Sequence, residues 1–121
     1  MSATPSTNVE IREWYLAEVA KIPEMNKQWK KDGLSLAERA KRAWKFRHDK
    51  RREARAFMSN EAEVRMLRER DIGKYGSASG PSFEFLLKRL KEEGLSENQS
   101  FEAIIKNSYR TNAGINRTLG F

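Results

Sequence analysis

Apolar residues recur along this chain at intervals of three and four, the period of a helix face, in runs separated by explicit start and stop residues. Ile11, Trp14, Tyr15 and Ile22 share one face of a first helix that starts after Thr7 or Asn8 and is limited at Ile22 by Pro23. A short helix is predicted around residues 25–31, ending at Gly33. Ser35 and Glu38 then form a Ser-x-x-Glu capping box that opens a long helix running to about Met58. Asn60 and Glu63 repeat that start signal for a fourth helix, which Gly76 closes after Tyr75. The run Gly76-Ser77-Ala78-Ser79-Gly80-Pro81 is the one clear loop.

Phe83, Leu86, Leu87 and Leu90 mark a fifth helix over about residues 82–93, stopped by Gly94. Ser96 and Gln99 cap a sixth, to about Tyr109, with Phe101, Ile104 and Ile105 as its core residues. The tail, residues 110–121, reads as irregular or as one short turn, and residues 1–7 as a disordered lead or the scar of a longer polypeptide. No period-two alternation and no internal repeat is present. The predicted fold is all-α, a compact single-domain bundle of about five to six helices over residues 8–121.

Charge changes this picture. From Arg39 to Arg55 nine Lys or Arg residues face only two acids, Asp49 and Glu53, an excess equal to the entire net charge of +7. The single histidine, His48, sits in the middle of that stretch. A concentrated positive field with one group that titrates near neutrality favours polyanionic partners and the handling of phosphate. Three Trp, three Tyr and six Phe argue against disorder, and no apolar run approaches the roughly 20 residues that span a bilayer, so no membrane partner is expected.

The placement of the charges is as informative as their number. On the long helix Leu36, Ala40, Ala43, Ala54 and Met58 define the buried stripe. Arg47 falls in its middle and Arg51 near its edge, while Trp44, His48 and Arg55 line the same flank. Lys41, Lys45 and Arg52 lie further round, towards water. In the fourth helix Asp71 and Arg68 share a face with Val64, Leu67 and Tyr75, and in the first Glu18 shares one with Ile11 and Trp14. Three helices thus each bring a charge towards the interior, where guanidinium groups need an anion.

Two readings follow: an Arg–Asp network that fixes helix packing, or a cleft in which Arg47, Arg51 and Arg55 hold a phosphate and His48 moves a proton. The loop of residues 76–81 is either a connector or a source of amides near phosphate. Arg110 and Asn112 in the tail either cap a helix end or complete the phosphate site. One histidine and no cysteine exclude a zinc site of the ordinary kind, whereas Mg²⁺ on Asp71 and Glu18 remains open. No glycine-rich nucleotide fingerprint is present.

Four motifs carry a resemblance. They are Arg47-His48-x-x-Arg51-x-x-Ala54-Arg55-x-x-Met58, Arg70-Asp71-x-x-Lys74-Tyr75-Gly76, Gly80-Pro81-x-Phe83-Glu84 and Arg110-Thr111-Asn112-Ala113-Gly114-x-Asn116. Together they resemble the C-terminal toxin domains of bacterial polymorphic toxins, the killing modules of type VI secretion and related effectors, over most of residues 10–121. One all-α group of such toxins, associated with DNase activity, is described by a His-x-x-Asp motif. This chain departs from it, with Arg51 at the third place after His48, Asp49 adjacent and Asp71 on another helix.

The resemblance implies an antibacterial nuclease with DNA ahead of RNA, a larger secreted polypeptide that delivers it, action in the target-cell cytoplasm, and a cognate immunity protein. The charge of the long helix predicts that this partner is acidic. His48 is then the general acid or base, Asp71 and Arg51 its catalytic companions, and Arg47, Arg55, Lys74, Arg110 and Asn112 the substrate-binding set. A non-catalytic nucleic-acid-binding module and a toxin acting on a nucleotide cofactor are the alternatives.

Overall fold

All the helices but the second begin where a short polar side chain takes up an otherwise orphaned backbone amide. The computed structural model describes residues 4–78 and 80–108, and among these it forms six α-helices and no strand. Thr7 caps α1 (Asn8–Val19) in a reciprocal capping box with Glu10, so the end of the polar lead is part of the helix start. Ser35 caps α3 (Leu36–Phe57), Asn60 caps α4 (Glu61–Tyr75), Ser82 caps α5 (Phe83–Glu92), and Ser96 with Gln99 boxes α6 (Glu97–Lys106). Such caps contribute about 1 kcal/mol each.

Two boundaries differ from expectation. α1 ends at Val19, and Pro23 lies inside the first turn of α2 (Ile22–Lys31), where its missing N–H costs nothing. α6 stops at Lys106 because Asn107 adopts the left-handed conformation, φ 56°, and closes the helix short of Tyr109.

α3 is the element the others pack against, most extensively α6 and α1 and then α2, while α5 packs on α6. The core gathers Ile22, Ala40, Ala43, Leu86, Leu90 and Ile104, closed by a stack of Phe83 on Phe101 with ring centroids 6.4 Å apart. Alanine at positions 40, 43 and 54, each without exposed surface, lets the neighbouring backbones approach α3 closely. α4 is absent from these extensive contacts, and its buried residues are only Leu67 and Asp71. A buried charge pair, Arg55 with Asp71, joins it to α3.

Among the described residues no helix is long and apolar enough to cross a membrane.

Candidate functional site

The alanine stripe of α3 explains the site. Small residues bring backbone near, and the long arginines between them then extend past the helix surface to reach it. Arg47, Arg51 and Arg55 are all buried, as the apolar stripe predicts for the first two.

Each takes a different role. Arg47 donates from both terminal nitrogens to the main-chain oxygens of Ile104 and Ile105, in the last turn of α6. Those carbonyls carry the negative end of the helix dipole and have few partners of their own there. The anion expected for Arg47 is therefore a pair of peptide oxygens, and its fork is occupied by them instead of facing a phosphate. Arg55 donates to Asp71 Oδ2, and its other terminal nitrogen to the Ala78 carbonyl at 2.8 Å. Asp71 has no exposed surface and also receives Arg70 at 3.4 Å. The acid expected beside Arg47 or Arg51 is thus found on Arg55, one turn further along α3. Arg51 reaches the chain between α4 and α5, with Nη1 3.0 Å from where a Cβ on Gly80 would stand.

That connection is held from α3 at several points. Trp44 Nε1 donates to the Pro81 carbonyl at 3.1 Å, two turns before Arg51 and three before Arg55. Gly80, at φ +95°, and Pro81 are both buried. The segment is more than a connector: its carbonyls at Ala78 and Pro81 are ligands of α3 side chains. Trp44 as an anchor and Gly80 as a point of close approach were missed by sequence reasoning. The Gly-Pro pair is the signal that could have found them.

His48 is half-buried on the same flank. Its ring stacks on Trp44, centroids 5.2 Å apart at 29°, and its Nδ1 has no hydrogen-bond partner among the described residues. Burial, and then the Arg51 charge, hold its pKa below the ordinary 6.5, with Arg52 and Lys45 adding to the effect and Asp49 opposing it. The imidazole is therefore neutral at pH 7, the form that accepts a proton. Tyr75 of α4 packs edge-on against Phe85 at 5.3 Å. Burial and the Asp71 charge push its pKa up, so it stays a phenol.

Several expected members fall elsewhere. Glu18 lies on the α1 side of α3, bridged to Lys21 at 3.0 Å and to Lys50 at 3.9 Å, because these lysines reach it at the helix edge before it turns inward. It takes no part in the arginine network. Arg68 and Lys74 are exposed on α4. Arg110 and Asn112 lie outside the described residues.

The two carboxylates proposed for Mg²⁺ do not fit that role. Asp71 is enclosed by arginines, Glu18 is paired with lysines, and no group of three or more His, Asp or Glu comes together among the described residues. A cleft of about 520 Å³ does adjoin the network, but between the end of α3 and α4, lined by Arg55, Met58, Val64, Arg65, Arg68 and Ile72. His48 is not among its walls. The expected cleft over Arg47 and Arg51 is filled by α6 and by the α4–α5 connection.

Compared with known proteins, the chain matches no family model, no curated protein and no solved structure.

Proposed function

We propose that this domain is an antibacterial toxin module that hydrolyses nucleic-acid phosphodiesters, with His48 as the proton-transfer group. One observation carries the reading. Three of the four motif segments, around residues 47–58, 70–76 and 80–84, are distant in sequence yet converge through Arg55–Asp71 and Arg51–Gly80, with Trp44, just before the first of them, holding Pro81. A half-buried, neutral imidazole stands at the rim of that convergence.

In this reading His48 takes a proton from the attacking water as that oxygen bonds to phosphorus. The P–O bond to the departing strand breaks and its oxygen is protonated from solvent. The positive field of Arg51 beside His48 favours the negative charge that develops on the phosphorus-bound oxygens. Arg47 and Arg55 are positioning residues, the first holding α6 to α3 and the second holding Asp71 and the loop. The basic face of α3 also accounts for delivery as an inhibited pair: an acidic immunity protein would be steered to it electrostatically and would cover His48. Delivery would be by a larger secreted polypeptide, with action in the target-cell cytoplasm.

The test is to incubate the pure domain with plasmid, total RNA and NAD, with and without Mg²⁺, and to repeat it with His48→Ala. Cleavage of nucleic acid that His48→Ala abolishes, with the helical circular dichroism spectrum and melting temperature kept, supports the reading. A fully active His48→Ala removes His48 from the chemistry, and consumption of NAD alone moves the substrate to a nucleotide cofactor. A non-catalytic nucleic-acid-binding module is the second reading, favoured by the exposed Lys41, Arg42 and Arg52, which have no ion-pair partner among the described residues.

A further inference from the structure

The nine cations of α3 separate into three groups by what they touch. Arg47, Arg51 and Arg55 turn inward. Arg39 is bound to Asn26 and the Leu34 carbonyl, Arg42 lies over the Trp29 ring, and Lys50 is bridged to Glu18 and Glu53. Lys41, Lys45 and Arg52 remain exposed, and they are not scattered. With His48 they occupy positions 41, 45, 48 and 52, steps of four, three and four residues. At 100° per residue these four side chains leave the helix within a narrow sector. They form a straight line about 16 Å long, with cations at 41, 45 and 52 and the neutral imidazole in the turn between the last two.

A single phosphate, or the pyrophosphate of a dinucleotide, is gripped by donors that converge. Of the donors that could have converged here, Arg47 and Arg55 are committed to peptide oxygens and to Asp71, and Arg51 is buried with its end against the chain at Gly80. Charges set in a line along one face of a helix match phosphates that are themselves in series. Asp49, the acid between these cations on α3, is bridged to Lys45 at 3.0 Å in an exposed pair, an interaction weak enough for a phosphate to replace.

We infer that Lys41, Lys45 and Arg52 form a track for the backbone of a single polynucleotide strand, which lays consecutive phosphates across His48. The inference rests on the hydrolytic reading for its use of His48 and names the substrate of that site: a polymer, held by its backbone and without base readout. A straight line of charge a few nucleotides long suits an extended strand better than a duplex, whose phosphates wind away from it.

The experiment is fluorescence anisotropy with a labelled phosphorothioate dodecanucleotide, which resists hydrolysis, against a labelled dinucleotide and the corresponding duplex, over a series of salt concentrations. The wild-type domain is compared with Lys41→Ala/Lys45→Ala/Arg52→Ala, whose three sites are exposed and whose folding is checked by circular dichroism. The single strand should bind at least tenfold more tightly than the dinucleotide and more tightly than the duplex. The triple variant should lose tenfold or more, and the slope of log affinity against log salt should fall by about 2, at about 0.7 per lost phosphate contact on a single strand.

Equal affinity for dinucleotide and dodecanucleotide, tighter binding of the duplex, or an unchanged salt slope in the folded variant each overturns the track. The two ideas fail separately. A strand that binds through these residues but is never cut when unmodified sinks the hydrolytic reading alone, and one cut equally well by the triple variant sinks the track alone.

Discussion

Arg55 and Asp71 meet at a point where the carboxylate has no exposed surface and the guanidinium almost none, so a buried charge pair fastens α4 to α3. Asp71 is held from two sides, by Arg55 on α3 and by Arg70 beside it on α4, and Arg55 also holds the Ala78 carbonyl. The hub therefore sets the position of α4 and of the chain leading to Gly80 and Pro81 together. A buried pair of this kind is costly to form and far more costly to break on one side.

Asp71→Ala should accordingly destabilise the domain by about 3–5 kcal/mol, because it leaves buried guanidinium charge uncompensated. Replacing both partners, as in Arg55→Met/Asp71→Leu, should recover most of the loss while disturbing the loop at Ala78. Urea unfolding followed by circular dichroism measures both. A single Asp71→Ala costing no more than an exposed substitution would show that the pair contributes nothing.

Arg47 serves a second junction. Arg47→Lys keeps the charge but cannot reach two adjacent carbonyls in one plane, so it should behave much like Arg47→Ala. Each should cost about 1–3 kcal/mol for the carbonyl left unsatisfied. Hydrogen exchange should show faster opening at the end of α6 than elsewhere. Full stability in Arg47→Lys would mean that charge alone is sufficient there.

What was legible in the sequence, and what was not, divides along physical lines. Helix starts are written in side chains, Ser35, Asn60 and Ser96, and all act as caps, while Ser82, expected as the first residue of its helix, is the cap just before it. The burial of Arg47, Arg51 and Asp71 is written in the helix period. Partners are not. The ligand of Arg47 is a pair of peptide oxygens, which carry no residue identity. Arg51 and Arg55 lie one turn apart on the same flank, and only the path of the chain between α3 and α4 decides which of them meets Asp71. Glu18 shares a face with Ile11, yet Lys50 comes from α3 to that same edge and takes it. Pro23 reads as a stop, though in the first turn of a helix it is equally at home.

Gly80 allows a controlled test of the loop contact. Gly80 and Gly94 share φ +95°, so alanine at either meets the same backbone strain, about 1 kcal/mol or somewhat more. They differ in surroundings: a Cβ at 80 would come within 3.0 Å of Arg51 Nη1, while one at 94 meets nothing within 4 Å. Gly80→Ala should therefore destabilise the domain more than Gly94→Ala, and it alone should displace Arg51 and lower the proposed nuclease activity. Equal melting temperatures for the two variants would remove the close approach from the argument.

His48 gives the domain a pH dependence whose direction is fixed. Its pKa in the folded chain lies below the ordinary 6.5, because burial and the cations Arg51, Arg52 and Lys45 outweigh Asp49. Above 6.5 the ring is neutral in both folded and unfolded chains and contributes no slope. As the pH falls through 6.5 the unfolded chain takes up the proton first, so stability drops until the folded-state pKa is passed. His48→Gln should lack this component: its stability should fall less than that of the wild type between neutrality and the acid side of 6.5, the carboxylate contributions being common to both. Because His48 is the only histidine, its ring Cε1–H resonance can be followed without assignment, and its midpoint should lie below 6.5. A midpoint above 6.5, or stability curves for wild type and His48→Gln that run parallel with pH, would mean that the imidazole is solvated and not held neutral beside Trp44 and Arg51.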